Sequence, residues 1–103
     1  MDEEKLGNFM NRALNEAAAT YHAALVVVGD KLGLYKTLAK HPQGLTSTEL
    51  ARETDTAERN VREWLASQTV GEYVIHDPET DRYSMSDEAA FALADPNGPD
   101  LAG

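Results

Sequence analysis

The stretch from Leu45 to Val74, LTSTELARETDTAERNVREWLASQTVGEYV, constrains this chain more than any other. Thr46 with Glu49 three residues on is a capping box, each side chain satisfying a backbone N–H left over at a helix start. Leu50 and Ala51 are the apolar positions of the short helix that follows. Thr54-Asp55-Thr56 breaks it, because short polar side chains bond their own backbone and Asp tolerates a left-handed conformation. A second helix is predicted over 57–69, with Val61, Trp64, Leu65 and Gln68 on one face. Small Ala51, a turn at Asp55, then apolar Val61 and Trp64 have the offsets of a helix-turn-helix, in which a small residue lets the helices cross closely.

The flanking segments extend that unit. Gly71 stops the second helix. Tyr73-Val74-Ile75 is a β-prone run, Asp77-Pro78-Glu79-Thr80-Asp81 is turn chemistry, and Arg82-Tyr83-Ser84-Met85 is a second strand. Two strands on a polar loop directly after the second helix make a wing. Ser86 caps a last short helix, Asp87 to Ala94, with Asp87 and Glu88 in the first turn where the helix dipole favours negative charge. Asp95-Pro96-Asn97-Gly98-Pro99 ends it. The fold expected is mainly α: a winged helix-turn-helix with extra N-terminal helices and a two-stranded wing.

Upstream, Leu6, Phe9, Met10, Ala13, Leu14, Ala17, Tyr21, Leu25 and Val28 recur at helical period, as one bent helix or as two meeting near Ala19-Thr20. Its middle, Ala17-Ala18-Ala19, is thin and suits helix-on-helix contact. A winged helix of this size has little core left for such a stripe to cover. A homodimer paired through Leu6, Ala13, Leu14, Ala17 and Ala18 is expected; the alternative is a helix folded back on its own domain. Val27, Val28, Leu32, Leu34, Tyr35 and Leu38 are the next candidate core residues. Gly29 and Gly33 share a helix face if the helix continues, or Gly33 ends it before another begins at Leu34. His41-Pro42-Gln43-Gly44 terminates that helix. Residues 1–22 thus read as a helical dimerisation segment, 23–94 as the winged helix and 95–103 as a linker.

At 103 residues there is room for one core and not two. No cysteine is present, which excludes disulfides, thiolate nucleophiles and cysteine zinc sites. The acidic N-terminus has no signal pattern and the longest apolar run, Ala23 to Val28, is too short to span a bilayer. A cytoplasmic protein with no membrane partner is expected. His22, His41 and His76 lie in three different elements without ligand spacing, so no metal site is expected. No Gly-x-Gly-x-x-Gly or P-loop supplies a nucleotide or cofactor loop, and Ser47, Ser67, Ser84 and Ser86 sit in capping or surface contexts.

The charge decides between uses of the fold. The net is −9, and residues 1–44 balance, so the acidity lies in the helix-turn-helix and beyond. A winged-helix transcription regulator would set Arg59 and Arg62 in a major groove. Glu58 and Glu63 share that face and cancel them, and Asp77, Glu79 and Asp81 would bring negative charge to the phosphates. No nucleic-acid partner is expected.

Taken in order, Gly29-Asp30-Lys31-Leu32-Gly33-Leu34-Tyr35, the run Glu58 to Leu65 ending Arg62-Glu63-Trp64-Leu65, and Ala92-Leu93-Ala94-Asp95 resemble the N-terminal domain of a group of class I S-adenosylmethionine-dependent methyltransferases. The similarity covers roughly residues 22–99 in order and spacing. It implies a winged helix that does not read DNA but dimerises, and whose N-terminal helices help cover the substrate pocket of a Rossmann-like catalytic domain. Phe9, Met10 and Tyr21 would be the substrate-lining candidates, with packing as their other use. No catalytic or cofactor residue carries over onto these positions: S-adenosylmethionine (SAM) and a small-molecule methyl acceptor would belong to a parent enzyme. The ending Asp100-Leu101-Ala102-Gly103 suggests a piece of such an enzyme rather than a stand-alone relative.

Overall fold

Helix α1 (Glu3–Lys31) starts where the Asp2 carboxylate accepts the backbone N–H groups of Glu4 and Lys5, at 3.0 and 3.1 Å. Acids in its first turn and Lys31 in its last suit the helix dipole. The computed structural model describes residues 1–102, and in it α1 is one uninterrupted helix through Ala19-Thr20, where the Thr20 hydroxyl donates back to the Glu16 carbonyl. Gly33 ends it in a left-handed conformation (φ 74°) that a side chain would strain, and α2 (Leu34–Ala39) follows at once.

The helix-turn-helix is α3 (Ser47–Thr54) and α4 (Glu58–Val70). Both halves of the Thr46–Glu49 capping box form, and Asp55 takes the left-handed position that closes α3. Thr54 and Thr56 join their hydroxyls across the turn at 2.7 Å. The wing is β1 (Ile75–Asp77) antiparallel to β2 (Arg82–Ser84), with Ile75 opposite Ser84, His76 opposite Tyr83 and Asp77 opposite Arg82. Leu45 pairs with Tyr83 through two backbone hydrogen bonds of 2.9 and 2.8 Å, tying the wing to the entry of α3. Helix α5 (Asp87–Ala94), capped by Ser86, buries Leu93 in the core cluster and lies on α2.

The core gathers Leu34, Leu38, Leu50, Val61, Leu65 and Val74 around Tyr35 and Trp64. Three readings change. The first strand begins at Ile75, because Tyr73 and Val74 give their N–H groups to the Gln68 carbonyl and finish α4 instead of pairing in the wing. Val27, Val28 and Leu32 are exposed and Val26 is buried in their place, since α1 turns Val26 and Gly29 inward. The second strand ends at Ser84, short of Met85, whereas helix α4 stops at Gly71 as expected, with Glu72 left-handed after it.

The body so formed is small, and α1 runs well past it. Every residue from Met1 to Tyr21 is exposed. The radius of gyration is 15.9 Å, against roughly 13 Å for a compact chain of this length.

Candidate functional site

Two surfaces could act on a partner: the outer face of α4 with the wing, and α1. On α4, Arg59 pairs with Glu63 (3.8 Å) and Arg62 with Glu58 (4.0 Å), each one turn apart. Glu58 also accepts the Ser47 hydroxyl at 2.6 Å. Each guanidinium on the helix that would have to read bases thus has a carboxylate one turn away. In the wing, Asp77 accepts the Glu79 N–H, and His76 holds Asp81 at 2.8 Å while its ring lies over Tyr83. Burial, and then the Asp81 charge, raises the Tyr83 hydroxyl above its ordinary pKa. Arg82 turns inward, donating to the Gly44 carbonyl and to Glu49, both at 3.0 Å. The Thr46 N–H, and after it Arg82, hold the Glu49 carboxyl below its usual value.

The other surface starts at the crossing of α1 and α4. A Cβ on Gly29 would sit 2.9 Å from ring atoms of both Trp64 and Tyr35, so only glycine permits this approach. Trp64 donates its indole N–H to the Leu25 carbonyl at 2.9 Å. Its ring meets Tyr35 edge-on at 5.0 Å, and the Tyr35 hydroxyl donates to the buried Gln68 carbonyl oxygen. Burial, with Tyr73 and Asp30 adding to it, pushes the Tyr35 hydroxyl well above its ordinary range, so it stays a donor. Trp64 is a packing residue by these contacts. Its outer edge, with Tyr21, Leu25 and Val28, walls an apolar cleft of about 380 Å³ rimmed by Asn60 and Glu63.

The residues named for pairing and for substrate contact all fall on α1. Leu6, Phe9, Met10, Ala13, Leu14, Ala17, Ala18 and Tyr21 are exposed; Phe9, Leu14 and Tyr21 are 58%, 65% and 67% accessible. Tyr21 is the one of these that lines the cleft. Phe9 and Met10 are not brought to it within the chain: Phe9 and Tyr21 stand roughly 18 Å apart along the helix. Phe9 instead carries the Arg12 guanidinium over its ring, 5.5 Å from the centroid.

The histidine contacts were not legible in the sequence. His22 packs on Gly71, where a Cβ would meet its ring at 2.7 Å, and lies edge-on to Tyr73 at 4.6 Å. A pairing of positions so far apart leaves no local pattern. His41 and His76 each find one carboxylate, Glu53 at 3.1 Å and Asp81 at 2.8 Å, which their spacing had not suggested. Among the described residues no three His, Cys, Asp or Glu side chains gather as a metal site would require, and no helix is long and apolar enough to cross a membrane.

The family model of the Rv2258c-like winged HTH domain matches residues 19–95. No curated protein matches the sequence. Among solved structures the chain is similar to PigF with SAH (16% identity, TM-score 0.76), covering 90% of this chain and 29% of that one. It is similar to CalO1, a methyltransferase in calicheamicin biosynthesis in its SAH-bound form (24% identity, TM-score 0.70, 96% and 27% covered). It is similar also to RosA, the N,N-8-amino-8-demethyl-D-riboflavin dimethyltransferase from Streptomyces davawensis (19%, TM-score 0.71, 86% and 26%). These identities establish the fold they share. The chain spans less than a third of the length of each neighbour.

Proposed function

The chain belongs to the family of Rv2258c-like winged helix-turn-helix domains, and from that membership we propose that it is the non-catalytic dimerisation and substrate-covering domain of a SAM-dependent small-molecule methyltransferase. The observation that carries this is α1, whose apolar stripe is left uncovered over the length of the helix that runs beyond the body. PigF, CalO1 and RosA hold the same fold within much longer chains, two of them named as methyltransferases and two solved with SAH. That supports placing this domain beside a catalytic one.

In this reading cofactor binding and catalysis fall to the parent enzyme, as does the small-molecule acceptor. A homodimer, a cytoplasmic location and no nucleic-acid partner belong to the same proposal. The internal pairing of Arg59 and Arg62 and the acids of the wing oppose a DNA-binding regulator.

Methyl transfer by the protein of the intact reading frame is the test. Labelled methyl groups moved from SAM to a small acceptor, with none moved by residues 1–103 alone, are expected. A reading frame without a SAM-binding domain, joined with salt-dependent retention of duplex DNA by this chain, would overturn the proposal.

A further inference from the structure

The body holds α1 through its last third, and two contacts there, two turns apart on one face, decide where the rest of the helix points. At Gly29 the rings of Trp64 and Tyr35 come so close that no side chain fits between. At His22 the ring lies on Gly71 and edge-on to Tyr73, in the segment that joins α4 to β1. We propose that Gln68 pins these two contacts to one another, so that Gln68, Gly71 and Tyr73 set the direction of the exposed arm of α1 and couple it to the α4–β1 junction. This goes beyond the role proposed above and stands on the chain's own contacts, whether or not α1 meets a second copy.

The two contacts converge on one residue. Gln68 is fully buried on α4, and its side-chain oxygen accepts the hydroxyl of Tyr35, the ring beside Gly29. Its backbone oxygen accepts the N–H groups of Tyr73 at 3.0 Å and Val74 at 3.3 Å, which holds the Tyr73 ring against His22. Gly71 completes the seat. Its backbone (φ −78°, ψ −1°) is one that any residue adopts. Glycine is therefore required there by the neighbouring ring and not by the turn, since a Cβ would stand 2.7 Å from His22 Cε1. His22 Nε2 is buried with no hydrogen-bond partner among the described residues, so shape and not a hydrogen bond from that atom seats the imidazole.

A helix resting on two points is a lever. Buried Val26, and the Leu25 carbonyl that accepts the Trp64 indole N–H, lie between the points and keep the axis from sliding. His22 and Gly29 stand roughly 10 Å apart along the axis, and Asn8 lies roughly 32 Å from Gly29. A displacement of about 1 Å at His22, pivoted at Gly29, therefore moves Asn8 by roughly 3 Å. The lever transmits it because α1 is one uninterrupted helix through Ala19-Thr20. Whatever shifts Tyr73 on the end of α4 is read out, enlarged, at the tip of the arm.

Distances between spin labels in the folded chain test this, because the chain has no cysteine of its own. Asn8→Cys on the arm is paired in turn with Arg59→Cys on α4 and Glu88→Cys on α5, all exposed positions. Doubly labelled chains are diluted into a large excess of unlabelled chain, so that only distances within one chain are read. Gly71→Ala should displace the arm by roughly 3 Å against these two marks with helicity intact. In a His22→Ala background the same substitution should displace nothing. Tyr73→Ala should broaden the distances, whereas Tyr73→Phe keeps the ring and should match the wild type. Tyr35→Phe, which releases the Gln68 side chain, should broaden them as well. Unchanged distances in both pairs for Gly71→Ala, or a displacement that persists without the His22 ring, overturns the lever. Distances as narrow as the wild type's in Tyr73→Ala overturn the coupling to the junction, and in Tyr35→Phe they overturn the part given to Gln68. Methyl transfer by the intact protein is read separately from all of these.

Discussion

Replacing Gly29 by Ala adds one methyl group at the point where α1 crosses α4, and its cost can be worked from the contacts. The new Cβ would lie 2.9 Å from Trp64 Cε2 and 2.9 Å from Tyr35 Cε2. Both are atoms of rings packed in the core, so neither can swing aside as a flexible chain end would. Overpacking of this kind costs about 1–3 kcal/mol. Pushing the rings apart also strains the Trp64–Leu25 and Tyr35–Gln68 hydrogen bonds, each worth about 1 kcal/mol net. Against this stands the gain of Ala over Gly inside a helix, about 1 kcal/mol. A net loss of about 2 kcal/mol follows, or a fall in Tm of roughly 8–16 °C for a domain of this size. Trp64 is the chain's single tryptophan and sits at the perturbed contact, so its fluorescence during urea unfolding reads the effect directly. Gly7 supplies the control: it is in the same helix with nothing within 4 Å, and Gly7→Ala should stabilise by about 0.5–1 kcal/mol. If Gly29→Ala were as stable as wild type, or both variants shifted the same way, the close crossing would be refuted.

The remaining expectations concern the polar core, the wing and the outer face of α4. Tyr35→Phe leaves the buried Gln68 amide with neither its oxygen nor its Nε2 partnered, at about 1–3 kcal/mol; Tyr35→Phe with Gln68→Leu should recover much of it, and simple additivity in a double-mutant cycle would refute the coupling. Glu49, its carboxyl held below the ordinary 4.5 by the Thr46 N–H and then by Arg82, is the group whose folded value is the lower, so its contribution is present above the unfolded value and lost as pH falls below it. Glu49→Gln should therefore be less stable at neutral pH and show a flatter loss on acidification, with equal pH slopes counting against the pairing. A random duplex pool should show no shift at physiological ionic strength, and Arg59→Ala with Arg62→Ala should change nothing; binding that those substitutions abolish would restore α4 as a reading helix.

What could be read from the sequence was what local physics decides. The capping box and the left-handed Asp55 depend on a few neighbouring residues, and both form; Gly33, which the sequence left open between continuing α1 and ending it, ends it. Val61, Trp64, Leu65 and Gln68 all face the core because one helix with one packed face leaves its period no alternative. The failures lie where two elements compete for the same residues. Tyr73 and Val74 have the composition of a strand, yet the Gln68 carbonyl at the end of α4 takes their N–H groups first. Val27, Val28 and Leu32 look like core until α4 is in place, because which side of α1 turns inward depends on where Trp64 finds room, at Gly29. Continuity through Ala19-Thr20 was open for the same reason: period describes a helical face on either side of a kink equally well. Phe9, Met10 and Tyr21 were legible as exposed bulky positions on one stripe, but their spacing along α1 alone does not say what they meet.

The central claim is that this winged helix works through the apolar face of α1 and not through the charged face of α4. Molar mass by light scattering tests it most directly. The chain should scatter at twice its 11.3 kDa, Leu14→Glu should return it to the single-chain mass with its helicity intact, and Arg59→Ala with Arg62→Ala should leave the doubled mass unchanged. A wild-type mass of 11.3 kDa at every concentration would contradict it.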